Sequence, residues 1–89
     1  MIKKIADEIR SHWKKGESTP LSITNEIEIL FERGSLNVIT LKLNRGEYSA
    51  EQELVMGKEA DVSSQILSED FLDLLKRRFE SLEDSLDDM

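Results

Sequence analysis

The middle of the chain decides the fold: residues 25–31 read NEIEILF, residues 37–43 read NVITLKL and residues 47–56 read EYSAEQELVM. In each of these segments apolar side chains alternate with polar ones, which is the period of a half-buried β-strand. Gly34 and Gly46 stand between the segments, where short hairpin turns are needed. The pattern therefore predicts a three-stranded antiparallel meander with one apolar and one mostly polar face.

The alternation assigns the side chains of these strands to two faces. The apolar face is expected to carry Ile27, Ile29, Phe31, Ile39, Leu41, Leu43, Tyr48, Ala50, Gln52, Leu54 and Met56. The other face is expected to carry Glu26, Glu28, Leu30, Glu32, Val38, Thr40, Lys42, Glu47, Ser49, Glu51, Glu53 and Val55. Since an apolar face must be covered, helices are expected to pack on the first of these two faces only.

Residues 2–15 are expected to form the first helix. Ile2, Ile5, Ile9 and Trp13 recur at steps of three and four residues, with Ala6 beside them, so that they make one apolar stripe. Gly16 suits the position just past a helix end, and residues 16–20 have the composition of a loop.

A second helix is expected after Ser68, a favourable N-cap residue, with Glu69 and Asp70 near the positive end of the helix dipole. Its apolar stripe consists of Phe71, Leu74, Leu75, Phe79, Leu82 and Leu86. Acidic residues near its C-terminus oppose the dipole, so residues 83–89 are expected to fray. Residues 57–67 have the weakest pattern in the chain and are expected to form a loop or a short extension. Together the elements predict a single α+β domain over residues 1–89, in the order α-β-β-β-α with both helices on one face of the sheet.

The chain is acidic, but its charge is unevenly distributed. The formal net charge of the 89 residues is −7; residues 1–15 carry five basic and two acidic side chains, whereas residues 16–89 carry seven basic and seventeen acidic ones. A field of this sign repels phosphate backbones and anionic membranes, and it attracts basic protein surfaces. With no cysteine, no signal-peptide pattern and no apolar run long enough to span a bilayer, a cytoplasmic location is expected.

The residue patterns of catalytic and metal sites are missing from the sequence. The single histidine, His12, stands beside Trp13 with no nucleophile in a familiar arrangement, and the motifs of calcium loops, zinc helices and phosphate loops are absent. Carboxylate pairs such as Glu51 and Glu53 fit a solvated sheet face, since a catalytic pair needs a cleft for which a domain of this size has little room. A non-enzymatic protein without metal or cofactor is therefore expected.

The predicted element order resembles that of the double-stranded-RNA-binding domain. Such domains meet phosphates with a lysine-rich patch at the start of their second helix, whereas Ser68, Glu69 and Asp70 occupy that position here, followed by Asp73. The resemblance is confined to element order, and direct binding of nucleic acid is not expected.

The expected partner-binding residues are carboxylates on the polar sheet face and on the last helix. They are Glu26, Glu28, Glu32, Glu47, Glu51, Glu53, Asp73, Glu80, Glu83 and Asp84. Rows of carboxylates at strand spacing can imitate a phosphate backbone, so the expected partner is a protein with a basic surface, such as a nucleic-acid-binding enzyme. Small acidic inhibitors encoded by phages and mobile elements, including anti-CRISPR proteins, are similar to this chain in size, charge and α/β composition. That likeness implies an inhibitor or DNA mimic.

A second interpretation is a homodimeric adaptor or chaperone-like interaction module. Leu30, Val38 and Val55 fall on the nominally polar face, where three apolar side chains could form a docking patch. An edge strand of the meander could also pair across a dimer axis. The sequence leaves open whether the protein is a monomer or a homodimer.

Overall fold

The computed structural model describes residues 1–88, which form four strands and three helices. In chain order these are α1 (Ile2–Lys14), β1 (Leu21–Ser22), β2 (Ile27–Glu32), β3 (Asn37–Arg45), β4 (Tyr48–Gly57), α2 (Glu59–Leu67) and α3 (Asp70–Asp87). The strands form one antiparallel sheet in the order β1-β2-β3-β4. The α+β class and the central meander are confirmed, but the predicted order with three strands and two helices is wrong, because β1 and α2 are additional elements.

β1 is too short to show any periodicity in the sequence. Its two residues, Leu21 and Ser22, pair with Ile29 and Glu28 of β2. The intervening turn is held by Thr24, whose Oγ1 accepts hydrogen bonds from the backbone N–H groups of Glu26 and Ile27, both at 3.1 Å. β1 is therefore defined by its pairing with β2 and not by a local pattern of its own.

α2 likewise owes its stability to tertiary contacts. Only Val62 and Ile66 of its residues are buried, and Ser63 and Ser64 are weak helix formers. Arg10 of α1 donates a hydrogen bond to the carbonyl of Ile66, which satisfies one of the free carbonyl groups in the last turn of α2. In the sequence, this helix is indicated only by Val62 and Ile66, which are four residues apart, and by acidic residues in the first turn. That pattern is too short to predict a helix.

α3 begins at Asp70, close to the predicted start. Ser68 does act near this N-terminus, since its Oγ accepts a hydrogen bond from the backbone N–H of Asp70 at 3.2 Å, but the N-cap position itself is Glu69. The helix continues to Asp87, and Leu86 in its last turn is buried. The fraying expected for residues 83–89 stays a prediction, and Met89 lies outside the described residues.

A single hydrophobic core lies between one face of the sheet and the helices. Buried residues of α1, α2 and α3 share this core with the predicted apolar face of β2, β3 and β4. Among the side chains with the least exposure are Ile5, Ile9, Ile29, Ile39, Leu41, Val62 and Leu75. The two-layer arrangement with all helices on one face follows, because the sheet has only one apolar side to cover. Tyr48 departs from the prediction: it is the first residue of β4 and is 57% exposed.

Asn37 anchors the register between β3 and β4. It pairs with Gly57 whereas Val38 pairs with Val55, so β4 carries an extra residue at this point, as in a β-bulge. The buried Asn37 side chain donates a hydrogen bond from Nδ2 to the carbonyl of Gly57 at 2.9 Å and accepts one at Oδ1 from the backbone N–H of Gly34 at 3.3 Å. These bonds join the turn after β2 to the end of β4.

Candidate functional site

One face of the sheet has no helix packed on it within residues 1–88, and we call it the open sheet face. Its central residues are Glu28, Leu30, Glu32, Val38, Thr40, Lys42, Glu51, Glu53 and Val55. Their side chains are half-buried or exposed, whereas the alternate residues of the same strands lie on the helix side. The period of two that predicts these strands thus places the polar set together on one solvent-facing surface.

The register between neighbouring strands places the charged side chains of the open sheet face in rows that run across the strands. Lys42 of β3 lies opposite Glu28 of β2 and opposite Glu51 of β4. Its Nζ is 3.8 Å from Oε1 of Glu51, so the ammonium group pairs with the carboxylate of β4 and not with that of β2. In the next row Thr40 lies between Leu30 and Glu53. The face therefore carries four glutamates and one lysine in its three long strands.

Three of these four glutamates have no positive partner in the described part of the chain. Glu28, Glu32 and Glu53 form no ion pair within 4.0 Å, whereas Glu51 is paired with Lys42. Lys42 supplies one positive charge against the four negative charges of these glutamates, so it offsets only part of the negative field. The surface consequently presents a net excess of negative charge to solvent.

The same face is apolar at one end, and we call Leu30, Val38 and Val55 the apolar corner. Val38 and Val55 are cross-strand partners, and Leu30 lies diagonally from Val38 in the β2–β3 ladder. Val55 is 65% exposed. The three apolar residues that the sequence assigns to this face are therefore neighbours, next to Glu32 and Glu53.

Two of the predicted sheet-face residues lie outside the strands. Glu26 precedes β2, where its carbonyl accepts a hydrogen bond from the backbone N–H of Asn44 at 2.7 Å. Glu47 follows Gly46 in the two-residue turn between β3 and β4, with Gly46 at a φ of +60°. Both exposed glutamates therefore lie at the end of the sheet that holds the β3–β4 turn, remote from the apolar corner.

The predicted residues on the last helix belong to the other side of the molecule. Asp73, Glu80 and Asp84 project from the exposed side of α3, opposite the buried stripe, and Glu83 is exposed beside it. Because α3 covers the apolar face of the sheet, these carboxylates point away from the open sheet face. The predicted set thus divides into two surfaces, and a flat partner cannot contact both at once.

His12 holds the loop after α1 against the sheet. Its ring stacks on Phe31 with 4.5 Å between centroids, and its side chain is buried. Nε2 lies 2.8 Å from the carbonyl oxygen of Thr19 and so must carry the hydrogen, because a carbonyl can only accept. Nδ1 faces a carboxylate oxygen of Glu17 at 3.4 Å. The ring is therefore tied to this loop through Nε2.

A shallow cleft between α1 and α2 was not predicted from the sequence. Trp13, Ile66 and Leu67 supply its apolar walls, and Arg10 and Lys14 stand at its rim. Two of its polar side chains are engaged with the protein: Nε1 of Trp13 donates to Oγ of Ser63 at 3.2 Å, and Arg10 is bonded to the end of α2. The cleft is local packing between two helices, one of which the sequence did not reveal.

No known protein family, characterised protein or solved structure matches this chain. In the part of the chain that the structure describes, no helix is long and apolar enough to cross a membrane, and no three possible metal ligands cluster. A function must therefore be inferred from the surfaces of the molecule, of which the open sheet face is the most distinctive.

Proposed function

We propose that this chain is a non-enzymatic binding domain whose open sheet face engages a basic surface of a partner protein. The observation that supports the proposal most is the arrangement of Glu28, Glu32, Glu51 and Glu53 around Lys42 on a face that no helix of residues 1–88 covers. A face with this excess of carboxylates attracts cationic surfaces and repels polyanions.

The proposed activity is inhibition by occupation of a nucleic-acid-binding surface. Residues two apart on a strand are roughly 6.8 Å from each other, and neighbouring strands are about 4.8 Å apart, so the glutamates form a regular array. A groove lined with lysine and arginine can accept such an array in place of phosphates. Phage and mobile-element inhibitors of host defence, anti-CRISPR proteins among them, are the class that the size and charge of this chain resemble.

Charge reversal on each of two surfaces tests where the partner binds. The first variant is Glu28→Lys/Glu51→Lys/Glu53→Lys on the open sheet face, and its matched control is Asp73→Lys/Glu80→Lys/Asp84→Lys on α3. Each changes the net charge by the same amount. A partner is recovered with the wild-type protein from lysate of the source cells at about 50 mM salt, purified, and titrated with all three proteins.

The proposal expects the sheet variant to lose binding while the α3 variant retains most of it, with unchanged circular dichroism. Wild-type affinity is expected to fall steeply as salt rises to about 500 mM, because contacts between exposed charges are screened. Equal losses in both variants, or binding that is insensitive to salt, would contradict a role of the open sheet face.

The apolar corner favours a second candidate, a homodimeric adaptor. Val38 and Val55 are adjacent and Val55 is largely exposed, so a second copy could bury this end of the sheet. Sedimentation at micromolar concentration distinguishes the two functions. A dimer that resists salt and dissociates in Val55→Lys supports the adaptor, whereas a monomer at all concentrations excludes it.

A further inference from the structure

The outer edge of β4 offers backbone hydrogen-bonding groups that the fold does not use. β4 has ten residues and is the last strand of the sheet, so only β3 pairs with it. In an antiparallel ladder roughly half of a strand's N–H and C=O groups point to each side. Within residues 1–88, the one hydrogen bond to the β4 backbone from outside β3 runs from Nε2 of Gln65 to the carbonyl of Met56, at 3.3 Å.

The opposite edge of the sheet differs. There β1 contributes only two residues, and a strand that short offers little template for another chain. β4 is instead long, contains no proline, and keeps an unbroken register with β3 from Tyr48 to Val55, since its bulge lies opposite Asn37. β4 is therefore the edge to which a fifth strand could add.

The side chains of β4 determine which kind of strand can add. Ser49, Glu51, Glu53 and Val55 lie on the open sheet face. If two copies paired through β4 about a two-fold axis at Gln52, Glu51 of each copy would lie opposite Glu53 of the other. Like charges directly opposite each other destabilise a ladder, whereas opposite charges stabilise it. The edge thus opposes self-pairing and favours a basic strand.

We propose that an extended basic segment of the partner adds to β4 as a fifth, antiparallel strand. This inference rests on the proposed function and specifies how the partner is held. Two lysine or arginine side chains at alternate positions would face Glu53 and Glu51, and an apolar residue two positions before them would face Val55. The recognised pattern, in the direction of the partner chain, is apolar-x-basic-x-basic.

The two intervening x residues would lie on the helix side of the sheet, the first opposite Leu54 and the second opposite Gln52. Nε2 of Gln52 donates to Oγ of Ser81 at 2.7 Å, and Oε1 of Gln52 accepts from Nη1 of Arg78 at 3.2 Å. These bonds hold Gln52 against α3, so an added strand meets a polar surface there with a positive charge close by. Small uncharged polar residues, such as threonine, suit these positions.

A synthetic peptide with blocked ends and the sequence Thr-Val-Thr-Lys-Thr-Lys-Thr tests the inference. Two analogues carry N-methyl groups on one or the other alternating set of backbone nitrogens. Strand addition requires that only one of the analogues loses binding, because the methyl groups of the other point away from β4. Amides within residues 48–57 are expected to gain protection from hydrogen exchange when the parent peptide binds.

Matched variants of the protein identify the charges involved. Glu51→Gln/Glu53→Gln is expected to lower the affinity for the parent peptide by about tenfold at low salt, since two cross-strand charge pairs are lost. Glu80→Gln/Asp84→Asn, which removes the same charge from α3, is expected to leave the affinity within about twofold, because these residues lie on the exposed side of α3, off the open sheet face, and act only through a screened field.

The possible failures separate this inference from the function on which it rests. If both analogues bind as well as the parent, or if the parent does not bind at all, strand addition is overturned. Protection of β4 that depends on protein concentration without peptide would identify a second copy as the occupant and also overturn it. None of these results affects the charge-reversal comparison, whose failure would overturn the proposed function itself.

Discussion

The ammonium nitrogen of Lys42 on β3 lies 3.8 Å from a carboxylate oxygen of Glu51 on β4. On the other side of β3, Glu28 of β2 lies directly opposite Lys42. The only positive charge among the central residues of the open sheet face therefore separates two rows of negative charge. It lowers their mutual repulsion within the folded protein and leaves the face as a whole negative. This balance between stability and surface charge leads to the first prediction.

Lys42→Gln is expected to destabilise the fold by about 0.5–1 kcal/mol at low salt, because the pair with Glu51 is lost and the glutamates on either side repel each other. The loss is expected to shrink at about 0.5 M salt, where exposed charges are screened. Urea unfolding at the two salt concentrations measures both values. Lys3→Gln on α1, which removes the same charge away from the sheet, is the control; equal salt dependence in the two variants would contradict the prediction.

Asn37→Ala is expected to lower the free energy of unfolding by about 1–3 kcal/mol. It removes the partners of the Gly57 carbonyl and the Gly34 N–H at a site where the side chain is 2% exposed. The control is Asn25→Ala in an exposed turn, for which a change within about 0.5 kcal/mol is expected. Chemical denaturation measures the difference, and equal stabilities of the two variants would show that Asn37 does not anchor the bulge.

Leu75→Ala is expected to cost about 2–5 kcal/mol, since Leu75 is fully buried in the core and truncation leaves a cavity. A domain of this size has only marginal stability, so a large fraction of the molecules should be unfolded at about 37 °C. Leu67→Ala makes the same chemical change at a position that is 72% exposed and should lie within about 0.5 kcal/mol of wild type. Thermal unfolding followed by circular dichroism compares them.

Arg33→Lys is expected to destabilise the fold by about 1–2 kcal/mol and to alter the fluorescence of Trp13, the single tryptophan. The Arg33 guanidinium lies 3.7 Å from the Trp13 ring centroid and donates to the carbonyls of Trp13 and Glu17 at 2.9 and 3.0 Å. A lysine ammonium cannot stack on the ring and reach both carbonyls together. The control is Arg77→Lys on the exposed side of α3. Unchanged emission in Arg33→Lys would contradict the stacking role.

Long elements were predictable because their periodicity is repeated several times. β3 alternates from Asn37 to Asn44, and α3 carries its apolar stripe from Phe71 to Leu86, so each pattern identifies both the element and its buried side. β1 and α2 were not predictable in this way. β1 has two residues, and α2 has one pair of buried apolar residues, so neither contains enough repeats to establish a period.

The candidate site was predictable in part for the same reason. Alternation within β2 and β4 is a local property of the chain, and it is enough to assign Glu28, Glu32, Glu51 and Glu53 to one face. The separation of this face from the carboxylates of α3 depends on which side of the sheet the helix covers, and that is a contact between distant residues. The burial of His12 is also of this kind, because it depends on Phe31 in a strand of the sheet.

The amino-acid sequence by itself determined the sign and uneven distribution of charge, the α+β class, the three long strands with their two faces, and the buried stripes of α1 and α3. These features depend on local periodicity and composition, which neighbouring residues carry. Only the tertiary structure decided that β1 and α2 form, that Lys42 lies between Glu28 and Glu51, and that the acidic residues divide between two surfaces. It also decided that no strand within residues 1–88 pairs with the outer edge of β4. These features depend on strand register and layer packing, which arise from contacts between residues far apart in the chain.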